Sequence, residues 1–189
     1  MEGVKMNIEV ECKIALSENE QNSLRELLNG YSKEIPFTKK DYYYITNNNK
    51  NEALRLRIEA DDLIITKKDK NKEEEGFEIN EEQQVLFNAG LYGKIKRLLV
   101  LAGYKNAFCK IKKGYEYLVK DVLVELVEIK DLGWFLELES TFNEPNKGIQ
   151  SIKDVLKELS FENRELENRY YWQLLKDKGN GVQSQSHFS

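Results

Sequence analysis

Val4-Lys5-Met6-Asn7-Ile8-Glu9-Val10-Glu11-Cys12-Lys13-Ile14 alternates between apolar and polar side chains along its whole length. A period of two puts Val10, Cys12 and Ile14 on one face and Glu9, Glu11 and Lys13 on the other, as in a β-strand with one buried face. The same rhythm returns in Ala53 to Ala60, where Leu54, Leu56 and Ile58 alternate with Arg55, Arg57 and Glu59. Asp61-Asp62 turns that run back into Leu63 to Lys68, completing a hairpin. Further strands are expected over Asp41 to Thr46, Gly76 to Ile79, Tyr104 to Lys113, Tyr115 to Lys120, Val122 to Ile129 and Trp134 to Phe142. Asn47 to Asn51 reads as a turn, and Lys68 to Glu75 as a charged, solvated loop. Ser17 with Glu20 has the spacing of a capping box opening a helix. Glu82 to Ala102, Gly148 to Leu159 and Leu166 to Lys176 have helical patterns. About eight strands joined mostly as hairpins predict an α+β fold, an eight-stranded antiparallel β-barrel with helices packed outside. Residues 1–176 are expected to form this one domain, and 177–189 a disordered polar tail.

The 189 residues include 29 Lys and Arg against 33 Asp and Glu, and 40% are hydrophobic. Such a composition supplies a core, and a formal charge of only −4 argues against a disordered chain and against a DNA-binding partner. Cys12 and Cys109 lie far apart without metal-ligand spacing, and His187 is the only histidine. Neither a zinc centre, a disulfide framework nor a histidine-activated nucleophile is suggested. The longest apolar run, Leu98 to Ala102, is far too short to span a bilayer, and no charged-then-apolar leader is read at the start. The expectation is a soluble cytoplasmic protein with no membrane partner.

If the apolar parity of each strand packs outward against helices, the polar parity lines the barrel. Acidic pairs then come from Glu9 with Glu11 and from Glu137 with Glu139; basic pairs come from Arg55 with Arg57 and from Lys110 with Lys112. Lys68 shares the parity of Thr66. A solvated sheet face tends to mix signs in cross-strand pairs, whereas here the signs occupy different strands. Ionised groups inside a small barrel each need a partner or water. A bore of this kind suits a highly charged ligand. Its cations would clamp phosphate oxygens, Arg most strongly through its bidentate fork. Its carboxylates would hold hard divalent cations that bridge to the phosphates.

Glu9-Val10-Glu11-Cys12-Lys13 resembles the E-x-E-x-K signature of the CYTH superfamily, the triphosphate tunnel metalloenzymes. In the same order, Ala53-Leu54-Arg55-Leu56-Arg57 is similar to that family's A-L-R-x-R strand and Ile65-Thr66-Lys67-Lys68 to its L-T-x-K strand. Leu132-Gly133-Trp134-Phe135-Leu136-Glu137-Leu138-Glu139 resembles L-G-x-F-x-E-x-E, and Arg169-Tyr170-Tyr171-Trp172-Gln173-Leu174-Leu175 resembles R-S-Y-x-x-L-L. The resemblance spans Met6 to Lys176. It implies a tunnel that binds a nucleoside triphosphate or an inorganic triphosphate with Mg or Mn, two divalent ions in all. Metal ligands would be Glu9, Glu11, Glu137 and Glu139, phosphate ligands Arg55, Arg57, Lys68, Lys110 and Lys112, and catalytic roles would fall to Lys13 and Glu11. Because some members are dimers, a homodimer is an implied assembly.

Two departures stand out. Lys112 occupies a position where the family has Arg, keeping the charge without the fork. Val127 stands where the family has Asp; Glu125, of the same parity, is the residue expected to supply that metal-binding carboxylate, while Glu128 should face outward. The charged run after Lys68 and the lack of accessory domains place the chain with class IV adenylate cyclase-like members, which convert ATP to cyclic AMP and pyrophosphate. The alternatives are a tripolyphosphatase or thiamine triphosphatase, and a non-catalytic module that retains polyphosphate or nucleotide.

Overall fold

In the computed structural model the alternating N-terminal segment forms β1 (Lys5–Leu16), and both of its backbone edges are occupied. It pairs antiparallel with β5 (Phe77–Asn88) on one side and with β8 (Gly133–Thr141) on the other. The structure describes residues 5–46, 53–142 and 144–178. The remaining strands are β2 (Ile35–Thr46), β3 (Ala53–Glu59), β4 (Asp62–Glu74), β6 (Tyr104–Val119) and β7 (Val122–Ile129). They close in the order β1-β5-β4-β3-β2-β6-β7-β8, so the α+β barrel expected from the sequence is present. Closure satisfies every strand edge within the molecule. Among the described residues the α-helices are α1 (Glu18–Leu28), α2 (Tyr92–Leu101), α3 (Pro145–Glu158) and α4 (Tyr171–Asp177). None of them is long and apolar enough to cross a membrane.

The outward parity of β1 makes the main core. Val10, Cys12 and Ile14 pack with Leu24 and Leu28 of α1 and with Ile152, Val155 and Leu156 of α3. Ser17 starts α1 with the expected box: its backbone N–H donates to Glu20 Oε2 at 2.8 Å, and the Glu20 N–H donates to Ser17 Oγ at 3.3 Å. A second cluster sets Tyr44, Leu56 and Leu63 under Tyr92, Ile95 and Leu99 of α2. The third is different, because it lies on the inward parity. Phe37, Val127, Ile129 and Phe135 gather around Tyr171 and Leu174 of α4, which stops one end of the barrel with an apolar plug.

Five segments depart from the sequence reading, the first being β2, which begins at Ile35 and not at Asp41. Residues 68–74 continue β4 and are not a loop; they pair with β5 as far as Glu74↔Phe77, across an irregularity between Lys70 and Lys72. Residues 82–88 belong to β5 and not to a helix. Glu82, Gln83 and Gln84 are good helix formers, but this strand closes the barrel between β1 and β4, and two backbone ladders outweigh local propensity. The helical pattern survives only from Tyr92. Gly114 does not separate two strands, since β6 runs unbroken past it. The last helix starts at Tyr171 and not at 166, because the Glu167 N–H is taken by the Lys13 carbonyl at 2.8 Å and holds that segment extended against β1. The turn read at Asn47 to Asn51 and the tail beyond Lys178 lie outside the described residues.

Gly114 sits opposite Val127. A Cβ there would stand 1.8 Å from the Leu126 carbonyl oxygen, which belongs to the neighbouring strand and cannot give way alone. Gly114→Ala is therefore expected to cost about 3 kcal/mol as an overpacked site. By contrast, Gly93→Ala in α2 meets nothing within 4 Å, so it should stabilise by about 0.5–1 kcal/mol. Urea midpoints of the two variants should move in opposite directions.

Candidate active site in the barrel bore

Alternation carries Glu9, Glu11, Lys13, Arg55, Arg57, Thr66, Lys68, Glu137 and Glu139 to the inside of the barrel. Along β2 the inward positions are Phe37, in the plug, then Lys39, Asp41 and Tyr43. Nearest the plug, Lys39 Nζ lies 2.5 Å from Glu116 Oε1 and also donates to Glu125. Lys112 Nζ reaches Glu125 Oε2 at 3.3 Å and donates to Glu137, whose other carboxylate oxygen accepts the Tyr171 hydroxyl. In the next layer Asp41, fully buried, accepts both Arg57 Nε at 2.7 Å and Arg57 Nη2 at 3.0 Å, with Lys110 Nζ at 3.7 Å. Across the bore Lys68 Nζ is 2.7 Å from Glu9, 2.7 Å from Glu82 and 3.6 Å from Glu11. Lys13 Nζ stands 3.6 Å from Glu78 and 5.9 Å from the centre of the Tyr171 ring.

All the residues singled out from the sequence thus face one bore: Lys13, Arg55, Arg57, Lys68, Lys110 and Lys112, with Glu9, Glu11, Glu125, Glu137 and Glu139. The structure does not draw the acids into one group. Among the described residues no three carboxylates are close enough to hold a metal ion, because Lys68 and Lys112 stand between them. Glu125 points inward while Glu128 is exposed, as parity required. Glu125 is gripped by Lys39 and Lys112, away from the Glu9–Glu11 pair. Val127, wholly buried, is part of the plug.

Sequence reading did not single out six interior groups: Lys39, Asp41, Glu59, Glu78, Glu82 and Glu116. For Lys39, Asp41, Glu78 and Glu82 the signal was present as alternation, in Lys39-Asp41-Tyr43 and in Glu78-Asn80-Glu82, but the strand was expected to begin only at Asp41 and helix-forming neighbours masked the second run.

Arg55 makes no short ion pair. Its Nη2 donates to Thr66 Oγ1 at 3.1 Å and lies 3.9 Å from Glu82, while its buried Nε has no hydrogen-bond partner. Counting Lys39, Asp41, Glu59, Glu78, Glu82 and Glu116 with the residues above, the described interior carries more carboxylates than cations. The acid excess is felt most at two of them. Burial, reinforced by Glu139, Glu11 and Glu82, pushes the Glu9 carboxyl well above its ordinary range despite Lys68. Glu139, which hydrogen-bonds Glu9, is raised for the same reasons. Burial also acts on Glu11, but Lys68, Lys112, Lys13 and Lys110 overcome it and hold the group down at about 2. Burial disfavours ionised Asp41 too, yet the Arg57 fork and Lys110 keep it far below the usual carboxylate range.

The model of the CYTH domain matches residues 7–171, so this chain belongs to the CYTH family, whose members are typically enzymes acting on triphosphates. No curated protein matches it significantly. A solved structure from Pyrococcus horikoshii OT3 superposes with a TM-score of 0.71 at 25% identity, covering 90% of this chain and 99% of that one. A candidate adenylate cyclase from Vibrio parahaemolyticus gives 0.67 at 15% identity, over 89% of this chain and 98% of its own. A Hippeastrum protein, described as a candidate adenylyl cyclase with a dominant triphosphatase activity, gives 0.65 at 15% identity, over 96% and 100%. The likeness to the last two is one of fold.

Asp41→Asn would leave Arg57 and Lys110 without their buried counter-charge, an expected loss of about 3–5 kcal/mol near neutral pH. Because the folded carboxyl is depressed, its contribution is complete above its unfolded pKa of about 4 and is lost as the pH falls through the folded value. The stability gap between the parent and Asp41→Asn should hold from neutral pH down to about 4 and narrow below it, as read by denaturant unfolding at each pH.

Proposed function

We propose that the chain is a divalent-metal-dependent enzyme that processes a linear triphosphate lying along the bore. The observation carrying this reading is the convergence of Arg55, Arg57, Lys68, Lys110 and Lys112 with an excess of carboxylates inside one closed barrel. Guanidinium and ammonium groups in such a site bind phosphate oxygens. The acid excess opposes a polyanion unless positive charge enters with it. Glu9, Glu11, Glu137 and Glu139 offer only oxygen donors, which fit Mg or Mn and fit softer metals poorly. The raised carboxyls of Glu9 and Glu139 are groups that a cation would return to the ionised form.

When bound, a divalent cation neutralises phosphate charge and polarises phosphoryl oxygens. The protein's own contribution is position and field. Arg55 and Arg57 come from alternate residues of β3 and stand on one wall, Arg57 with its fork on Asp41, while Lys110 and Lys112 stand on β6. Glu11 stays ionised, and Lys13 borders both Glu78 and the plug. A fixed cage of this kind stabilises charge that develops on phosphoryl oxygens without reorganising.

Hydrolysis of the terminal phosphate is the reaction this geometry supports best, since it needs only a held triphosphate and water. The charged run after Lys68, which favoured a cyclase-like subgroup on sequence, continues β4 and no longer separates the two reactions. Cyclisation of ATP is the second reading, favoured by aromatic side chains facing the bore beside Arg55. Incubation with tripolyphosphate, ATP and thiamine triphosphate in Mg or Mn, followed by product analysis, tests both. Orthophosphate release is the expected outcome; cyclic AMP with pyrophosphate supports the second reading, and thermal stabilisation without turnover supports a binding module. Arg55→Ala, which breaks no strong ion pair, should keep its melting temperature and lose roughly a hundredfold in turnover. Replacing Glu9 and Glu11 together by Gln should abolish stabilisation of the protein by Mn.

A further inference from the structure

We propose that the outer side of α2 is a docking surface for an anionic lipid bilayer, lying in the headgroup layer with its leucines toward the acyl chains. This surface is outside the barrel wall and stands apart from the triphosphate reading. Association of this kind needs no helix able to cross a membrane, and among the described residues there is none.

Charge is unevenly spread along the chain. Residues 83–115 contain seven Lys and Arg and no Asp or Glu, although acids outnumber bases over the whole sequence. Two of the seven, Lys110 and Lys112, face the bore. The other five are exposed: Lys94, Lys96 and Arg97 on α2, Lys105 just after it, and Lys113 on β6. Lys40 of β2 is also exposed and pairs with Ile111, so it extends the basic set along the outer parity of the β2–β6 ladder. Among the described residues Lys94, Arg97 and Lys105 form no ion pair. Asp61 and Asp62 stand at the opposite end of α2, ahead of its first turn, where the Asp61 carbonyl accepts the Ala89 N–H at 2.8 Å.

Packing leaves the same helix apolar on its outside. Tyr92, Ile95 and Leu99 rest on Tyr44, Leu56 and Leu63 of the barrel wall. At about 100° per residue, the side opposite these three carries Arg97 and Leu101, with Lys94 and Leu98 on one flank and Val100 on the other. Leu98 is 64% exposed, Val100 54% and Leu101 77%, and no residue of α2 is fully buried. Large apolar side chains left uncovered together mark an interaction surface. Leucines interleaved with cations suit a helix lying in a bilayer interface, where the apolar side chains enter the acyl boundary and the Lys and Arg stems reach back to the phosphates. Charge decides between occupants. A second copy docked two-fold on this face would bring Lys94 and Arg97 against the same cations. A helix ridge also needs a matching groove on a protein partner, whereas headgroups rearrange around it and anionic ones supply the missing counter-charge.

Co-sedimentation of the full chain with vesicles tests this, using phosphatidylcholine alone and an equal mixture with phosphatidylglycerol. The protein should bind the mixed vesicles only, and less as salt is raised. Lys94→Gln with Arg97→Gln should lower the partition coefficient roughly thirtyfold, and Leu98→Gln with Leu101→Gln by roughly tenfold or more. Lys147→Gln with Lys157→Gln, two exposed lysines of α3, should leave it unchanged. No binding to mixed vesicles at low salt, equal binding to both compositions, or an equal loss in the α3 variant overturns the proposal. A dimer that Leu98→Gln with Leu101→Gln dissociates, without vesicle binding, gives the face to a second copy instead. Binding of an acidic amphipathic peptide without vesicle binding gives it to a protein, and either result overturns the lipid assignment. Should the α2 variants not fold, the unaltered protein still decides: amide exchange over residues 93–101 should slow on mixed vesicles while that of α3 does not, and unchanged exchange in α2 overturns the proposal.

Discussion

An ionised side chain enclosed by a barrel wall must find an opposite charge or retain its water, and the interior of this protein is organised by that requirement. Asp41 is tolerable only because Arg57 and Lys110 face it; Lys112 is tolerable only between Glu125 and Glu137. These compensated layers form the fixed part of the bore. Around Glu9 and Glu139 compensation is incomplete, with Lys68 shared among three acids. The uneven distribution sets fully paired layers apart from a less compensated one, and it does so without any change of fold.

The two departures from the family pattern have a common physical setting. Val127 lies in the plug, where Phe135 and Tyr171 leave no water for a carboxylate. Glu125, one inward step away, lies between two lysines and carries the acidic charge of β7. Lys112 lacks a planar fork, yet its single ammonium bridges Glu125 and Glu137 on adjacent strands. Lys39, inward from β2, completes the arrangement. The substitutions thus make sense as a set around one buried acid, a relation that neither position discloses by itself.

Much of the barrel was legible because most strands bury an apolar outward parity under helices, so Val10, Cys12 and Ile14 or Leu54, Leu56 and Ile58 declare their faces. Residues 82–88 were not legible. Glu82, Gln84 and Leu86 share the inward parity, Val85 on the outward parity and Leu86 both remain exposed, and the two parities therefore look like a solvated helix. Only closure of the ring demands a strand there. The inward direction of the charged pairs was legible from parity. The reach of Lys68 across to Glu9 was not, because which strands face one another across a bore depends on strand order, and β5 is inserted between β1 and β4. Tyr171 was visible as part of a closing motif, but that its hydroxyl meets Glu137 depends on α4 folding back over the barrel end.

That placement of α4 gives the bore a floor at one end. An elongated guest has a single orientation with respect to the floor, and whatever part descends first remains deepest. If a guest is cut into two pieces, the upper piece must depart before the lower one is released. Retention of the lower fragment, and not only the bond-breaking step, would then depend on the C-terminal helix.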